Sequence, residues 1–157
     1  MKIEFTVNGE PIAKERPRVV FRKGFLHTYT PAKTLKYEKS VSDAFITEAK
    51  REHISIEIVG EDKHGRPIYK SLFGKSVPVS IEIEAVFGIP KSYSKKKRKA
   101  ALDGTLGYFG VKDIDNIVKS VLDALVGCCF QDDRQIVSVK ASKRFGESPF
   151  IRISISN

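Results

Sequence analysis

Only two cysteines occur in 157 residues, and they are neighbours, Cys128 and Cys129. A bridge between adjacent residues is strained and closes no useful loop, so a disulfide framework is excluded and the pair reads as buried thiols at the end of a helix. Thiols of that kind suit a cytoplasmic protein. Histidine is scarce as well: His27, His53 and His64 share no metal-ligand spacing and have no cysteine partner, so each reads as a surface or loop residue rather than a zinc ligand. No apolar run approaches the roughly 20 residues of a membrane helix. The start, Met1-Lys2-Ile3-Glu4-Phe5, alternates like a strand, unlike the apolar core of a signal peptide. A glycine-rich phosphate loop is missing, because Gly74-Lys75-Ser76 has the ending but Tyr69 stands where the first glycine belongs. Acids are the last shortage: 19 Asp+Glu against 28 Lys+Arg leave a net charge of +9. A field of that sign attracts nucleic acid ahead of anionic lipid.

What is present suits one α+β domain with a mixed sheet, spanning residues 1–157 and long enough to bury roughly two-thirds of its unfolded surface. Ile3, Phe5 and Val7 alternate with polar residues in a first strand that Asn8-Gly9 ends. A basic segment, Lys14-Glu15-Arg16-Pro17-Arg18, leads into Val19-Val20-Phe21, a turn at Lys23-Gly24 and a short hairpin closing at Tyr29. Thr30-Pro31 reads as an N-cap followed by a first-turn proline, opening a helix to about Glu52 with Tyr37, Val41, Phe45 and Ala49 on one face. Residues 54–75, around Asp62-Lys63-His64-Gly65-Arg66-Pro67, form an inserted hairpin or loop. Val79, Ile81, Ile83, Ala85 and Phe87 alternate in a strand that Ile89-Pro90 stops. Ser94 can cap a short basic helix, and 103–110 is a loop. Ile114, Ile117, Val118, Val121, Leu122 and Leu125 repeat at helical spacing up to about Gly127. Val137, Val139 and Ala141, then Ile151, Ile153 and Ile155, mark two closing strands.

The chemistry concentrates in Lys112-Asp113-Ile114-Asp115-Asn116-Ile117-Val118-Lys119, with Asp123 and then Asp132-Asp133. Carboxylates gathered inside a basic protein suggest a hard cation held against a polyanion, since Mg²⁺ takes one or two carboxylates and completes its shell with waters and phosphate oxygens. Asp115, Lys119 and Asp123 are spaced by four and share one helix face, opposite the apolar stripe. Asp132-Asp133 follows a turn and precedes a strand, where a short connection can return it to the helix start. Such a cluster could hold one or two divalent ions and lower the pKa of a bound water, with Lys119 a point charge near a scissile phosphate. Plainer roles exist for each residue: Asp113 or Asp115 as an N-cap, Lys119 in i,i+4 pairs worth about 0.3 to 0.5 kcal/mol, Asp132-Asp133 as a turn. A calcium loop is excluded, because Ile117 and Val118 stand where a third ligand and the glycine belong. Lys91, Lys95, Lys96, Lys97, Arg98 and Lys99 place six positive charges in nine residues. Their mutual repulsion is relieved by a polyanion.

Asp113-x-Asp115-Asn116-x2-Lys119-x3-Asp123-Ala124-Leu125, then Asp132-Asp133-x-Gln135-Ile136, closely resembles the RusA family of Holliday-junction resolvases. Lys14-x-Arg16-Pro17-Arg18 and Tyr29-Thr30-Pro31-x-Lys33-Thr34 resemble the amino-terminal signature of its branch common in Gram-positive bacteria and their phages. The resemblance implies a homodimer that binds four-way DNA junctions and cuts two opposed strands with Mg²⁺ or Mn²⁺. It implies Asp113, Asp115 and Asp133 as essential acids and metal ligands, Lys119 as the essential lysine and Asp132 as a supporting ligand. Lys14, Arg16, Arg18, Lys95, Lys96, Lys97, Arg98 and Lys112 are then the expected DNA contacts. Compact members carry arginines directly before the first acid, whereas here only Lys112 stands there and the basic run lies further back. A junction-binding protein without catalysis, and a metal-dependent ribonuclease, remain open as alternatives from the residues alone.

Overall fold

A computed structural model of the chain describes residues 1–61, 67–110 and 112–157. Strand β1 (Lys2–Asn8) is followed by the hairpin β2 (Arg18–Arg22) and β3 (Phe25–Tyr29), helix α1 (Ala32–Arg51) and a small ribbon of β4 (Ile58–Glu61) and β5 (Pro67–Tyr69). Strand β6 (Val79–Gly88), helices α2 (Lys95–Leu102) and α3 (Ile114–Leu125), and strands β7 (Ile136–Gly146) and β8 (Phe150–Ser156) complete the order. The α+β class and mixed sheet expected from periodicity are both found. Residues 54–75 do contain a hairpin, whose expected turn at Asp62 to Arg66 lies outside the described residues. One boundary differs: Pro31, not Thr30, occupies the N-cap position of α1 and offers no side-chain cap. Its carbonyl instead accepts from the Thr34 amide at 3.0 Å, so the backbone closes the first turn unaided.

The main sheet has the order β1-β8-β6-β7, with β8 antiparallel to both neighbours and β6 parallel to β7. A parallel pair needs a crossover, and α3 with its approach loop supplies it. Alternation decides which side is covered. Ile3 and Phe5, Ile81, Ile83 and Phe87, and Ile151, Ile153 and Ile155 all face one side and bury against Val41 and Phe45 of α1 and Ile117, Val121 and Leu125 of α3. The opposite side is polar and laced with ion pairs, Glu84 receiving Arg144 at 2.7 Å and Arg152 at 3.1 Å. Exposed pairs like these add little stability but keep the open face wet.

Cys128 and Cys129 are free and buried just past α3, as the sequence predicts. Burial pushes the Cys128 thiol up to about 12, so it is inert at neutral pH. A second, smaller core of Ile89, Ala101 and Phe145 seats α2 on the far end of β7, with Tyr108 packed against it. Tyr108 also stacks on Phe87 of the main core, ring centres 4.1 Å apart. One aromatic residue thus fastens the loop carrying the acidic motif to both cores, which sets α2 and the start of α3 at the same end of the molecule. None of the described helices is long and apolar enough to cross a membrane.

Candidate active site

Asp113 occupies the N-cap position of α3 with extended backbone, yet its carboxylate makes no capping hydrogen bond. Asp115 lies in the first turn, and both residues are exposed. Neither joins an ion pair among the described residues; Lys14 and Lys119 are instead paired with Asp123. A helix N-terminus favours negative charge, so the first turn of α3 is a suitable place for two carboxylates. The capping role open to Asp113 is therefore not taken, and two hard oxygen donors are left facing solvent.

Lys119 and Asp123 are one turn apart on α3, with Nζ to Oδ1 at 3.0 Å. Asp123 also receives Lys14 at 3.0 Å on its other oxygen. Burial alone would raise the Asp123 carboxyl, but the hydrogen bonds and charges of Lys14 and Lys119 outweigh it and hold the group below its ordinary value. Lys14 in turn bonds Glu38 of α1, and its amide donates to the Asn116 carbonyl at 2.8 Å. Its ammonium is desolvated, which lowers its pKa, yet Glu38 and Asp123 more than compensate and the net shift is upward.

Lys14, expected on DNA from the sequence, has a side chain that is 19% exposed and paired with two carboxylates. It is a brace between α1 and α3. Lys112 is likewise drawn inward, its ammonium donating to the Pro11 carbonyl and lying 5.0 Å from the Phe87 ring. Desolvation lowers its pKa, with Glu10 opposing and Lys33 adding to the effect. A lysine held in this way fixes the approach to Asp113 and is poorly placed to neutralise a phosphate. Lys95, Lys96, Lys97 and Arg98 are all exposed on α2, and Arg18 is exposed at the start of β2. Arg16, just before it, is exposed as well. Ser94 does cap α2, accepting from the Lys97 amide at 3.3 Å. Lys97 lies 4.0 Å over the Tyr93 ring.

Asp132 and Asp133 do not return to the helix start, contrary to the expectation from loop length. Gly127 donates to the Phe130 carbonyl at 2.7 Å, so the chain turns at the C-terminal end of α3. Asp132 then caps the short 3-10 turn Asp133–Gln135 and takes Arg134 on both carboxylate oxygens at 2.9 Å. That guanidinium holds the Asp132 carboxyl well below the usual carboxylate range. Gln135 locks the turn in place, donating to the carbonyls of Gly74 at 2.8 Å and Val77 at 3.1 Å. Further along β7, Lys143 donates to the Lys112 carbonyl at 2.8 Å. From Ile136 to Lys143 the strand covers about 23 Å, and the 12 residues of α3 about 18 Å. Asp133 therefore sits at one end of α3, and Asp113 and Asp115 at the other. Among the described residues no three acidic, histidine or cysteine side chains gather closely enough to hold a metal.

Spacing alone misses the two residues that organise the site. Glu38 carries no local signal, because its partner Lys14 is brought to it only by tertiary packing. Gln135 stands in the motif by identity, but its two amide contacts bridge 61 and 58 positions.

The donor set fits a hard cation: two uncommitted carboxylates in one turn are what Mg²⁺ takes from a protein before waters and phosphate oxygens fill its shell. An α+β domain offering such ligands in a cationic field has the make-up of a nuclease. The family model described as Endodeoxyribonuclease RusA matches residues 8–156. The chain belongs to the RusA endodeoxyribonuclease family. It is also 36% identical over 155 residues to a protein of Bacillus subtilis (strain 168) named uncharacterized protein YqaN, covering 98% of this chain and 94% of that one.

Proposed function

We propose that the protein is a homodimeric, Mg²⁺-dependent endodeoxyribonuclease, Mn²⁺ substituting, that resolves four-way DNA junctions by paired cuts during recombination and repair. The observation that carries this reading is the pair Asp113 and Asp115, exposed and outside any ion pair among the described residues at the start of α3, in a chain of the RusA family. A divalent cation bound there supplies charge to the scissile phosphate and acidifies water. The chain's own contribution is to aim the two carboxylates, to hold Lys119 on the same helix through Asp123, and to offer the cations of α2 to flanking phosphates.

Dimerisation belongs to the proposal for a geometric reason. In a single chain the length of α3, 12 residues or about 18 Å, lies between Asp133 and the other two acids, so an active site using all three needs an Asp133 from a second copy. Two-fold symmetry makes two such sites, one for each of the two equivalent strands of a junction. The test is purified protein with labelled four-way junction, linear duplex and RNA, each in Mg²⁺, in Mn²⁺ and in EDTA. Paired nicks in the junction only, lost in EDTA, are expected. Binding without nicking in either metal would leave a junction-binding protein, and cleavage of RNA alone would leave a ribonuclease.

A further inference from the structure

The hairpin β2–β3 stands off the domain. Of its ten strand residues only Val20 is even half-buried, and an isolated two-stranded ribbon is marginal unless something packs on it. Its register assigns the sides, because directly opposed residues share a face. Val19 opposes Thr28 and Phe21 opposes Leu26 on one side; Arg18 opposes Tyr29, Val20 opposes His27 and Arg22 opposes Phe25 on the other. Phe21 is 71% exposed and Leu26 72%. Lys23 and Gly24 make the turn with φ of 50° and 82°, the left-handed pair whose twist matches the strands and lets a narrow ribbon project.

An exposed apolar pair rimmed by charge marks an interaction surface. The rim is cationic: Arg18, Arg22 and Lys23 are exposed, and so is Arg16 at the root. A second copy laid hairpin to hairpin would set these charges against their twins. DNA meets both requirements, being anionic along its backbone and apolar on its base faces, and only a branch point leaves base faces open to an apolar side chain without melting a duplex. The placement also agrees. The Lys14 amide fixes the root of the hairpin to Asn116, beside Asp115, and four residues reach at most about 14 Å to Arg18.

We propose that the β2–β3 ribbon enters the open centre of a DNA junction and stacks its Phe21–Leu26 side on the bases there, while Arg16, Arg18, Arg22 and Lys23 hold the flanking phosphates. This deepens the junction-nuclease reading and rests on it. Apolar wedges at base steps and aromatic stacking on unpaired bases are general devices of this kind.

The experiment uses the full chain in EDTA, a four-way junction carrying 2-aminopurine beside the crossover, and a linear duplex of equal length. Wild-type protein at saturation should raise 2-aminopurine fluorescence several-fold. Phe21→Ser combined with Leu26→Ser should abolish that rise and cut junction affinity about tenfold, with duplex affinity and melting temperature unchanged. Phe21→Leu, which keeps the side apolar, should retain most of the rise. Arg18→Ala with Arg22→Ala should weaken both DNAs and flatten the salt dependence by about 1.8, yet keep the rise at saturation. The proposal is overturned if the serine variant keeps the rise, or if it instead changes the mass of the protein in solution, which would make this side an interface between copies. Junction cleavage in Mg²⁺ by wild-type protein that never perturbs 2-aminopurine would also overturn it and leave the nuclease reading standing. No binding or cleavage of any branched DNA would remove both.

Discussion

Asp113 and Asp115 can be told from Asp123 and Asp132 by what surrounds them. Asp123 has two lysines and Asp132 an arginine, whereas among the described residues the first pair has only the helix N-terminus. Replacing Asp115 by Asn keeps size and removes the charge a cation needs, so cleavage should fall at least about a hundredfold while junction binding persists or tightens. A gel-shift and a cleavage assay on the same preparation check this; parallel loss of both would point to misfolding. Lys119→Met should also bind without cutting, since its charge acts on the transition state. The brace behaves differently. Lys14→Met leaves Glu38 and Asp123 facing each other half-buried and should cost about 2 kcal/mol in urea unfolding, with little effect on the salt dependence of DNA binding. Its pH signature has a defined sign. The raised Lys14 pKa gives stability that is whole below its ordinary value of 10.5 and fades as pH rises through the folded value; the lowered Asp123 pKa gives stability that fades as pH falls through its folded value in acid. Lys14→Met should erase the alkaline decline expected of the wild type.

At the scale of elements, periodicity carries far because each main element has one covered face. Val79 to Phe87 and Ile151 to Ile155 alternate, and Ile117, Val121 and Leu125 repeat, since the sheet packs against α1 and α3 on one side only. The β7 strand shows where that signal weakens: Val137 and Val139 alternate as a buried strand would, yet they are 67% and 44% exposed because β7 is the sheet edge. The inward turn of Lys14 and Lys112 is illegible for a related reason. A basic residue's commitment depends on acids and carbonyls brought from other elements, and nothing in the local spelling separates Lys14 from Lys95. Helix α2 remains the clearest cationic element. Its basic first turn adds to the positive end of the helix dipole, a cost that phosphates remove. Converting Lys95, Lys96, Lys97 and Arg98 to alanine should therefore flatten the slope of log affinity against log salt by about 0.9 for each phosphate that is no longer neutralised. The helix itself should persist, because Ala101 and the Ser94 cap stay in place. An unchanged slope would show α2 to be a solvated face.

The whole molecule poses the question that spacing does not answer, where three acids meet. The seven residues between Leu125 and Asp133 are enough to reach back along a helix, and length alone allows it. They do not reach back, because Cys128, Cys129 and Phe130 are buried in the core and the first two accept from the Leu72 and Phe73 amides, while Gln135 fastens the turn to Gly74 and Val77. The chain is thus held at the C-terminal end of α3. If the acids act together, they act across two copies, and that has a consequence no single-site enzyme shares. Asp115→Asn and Asp133→Asn should each be inactive alone. Mixed and allowed to exchange subunits, they should form heterodimers in which one site carries both substitutions and the other none, restoring cleavage at one strand of the junction and giving nicked rather than resolved product. Light scattering on the same mixture should give about twice 17.6 kDa. Should the mixture stay dead while wild-type dimers exchange freely, the three acids cannot form a site between subunits, and catalysis would have to rest on Asp113 and Asp115 within each chain.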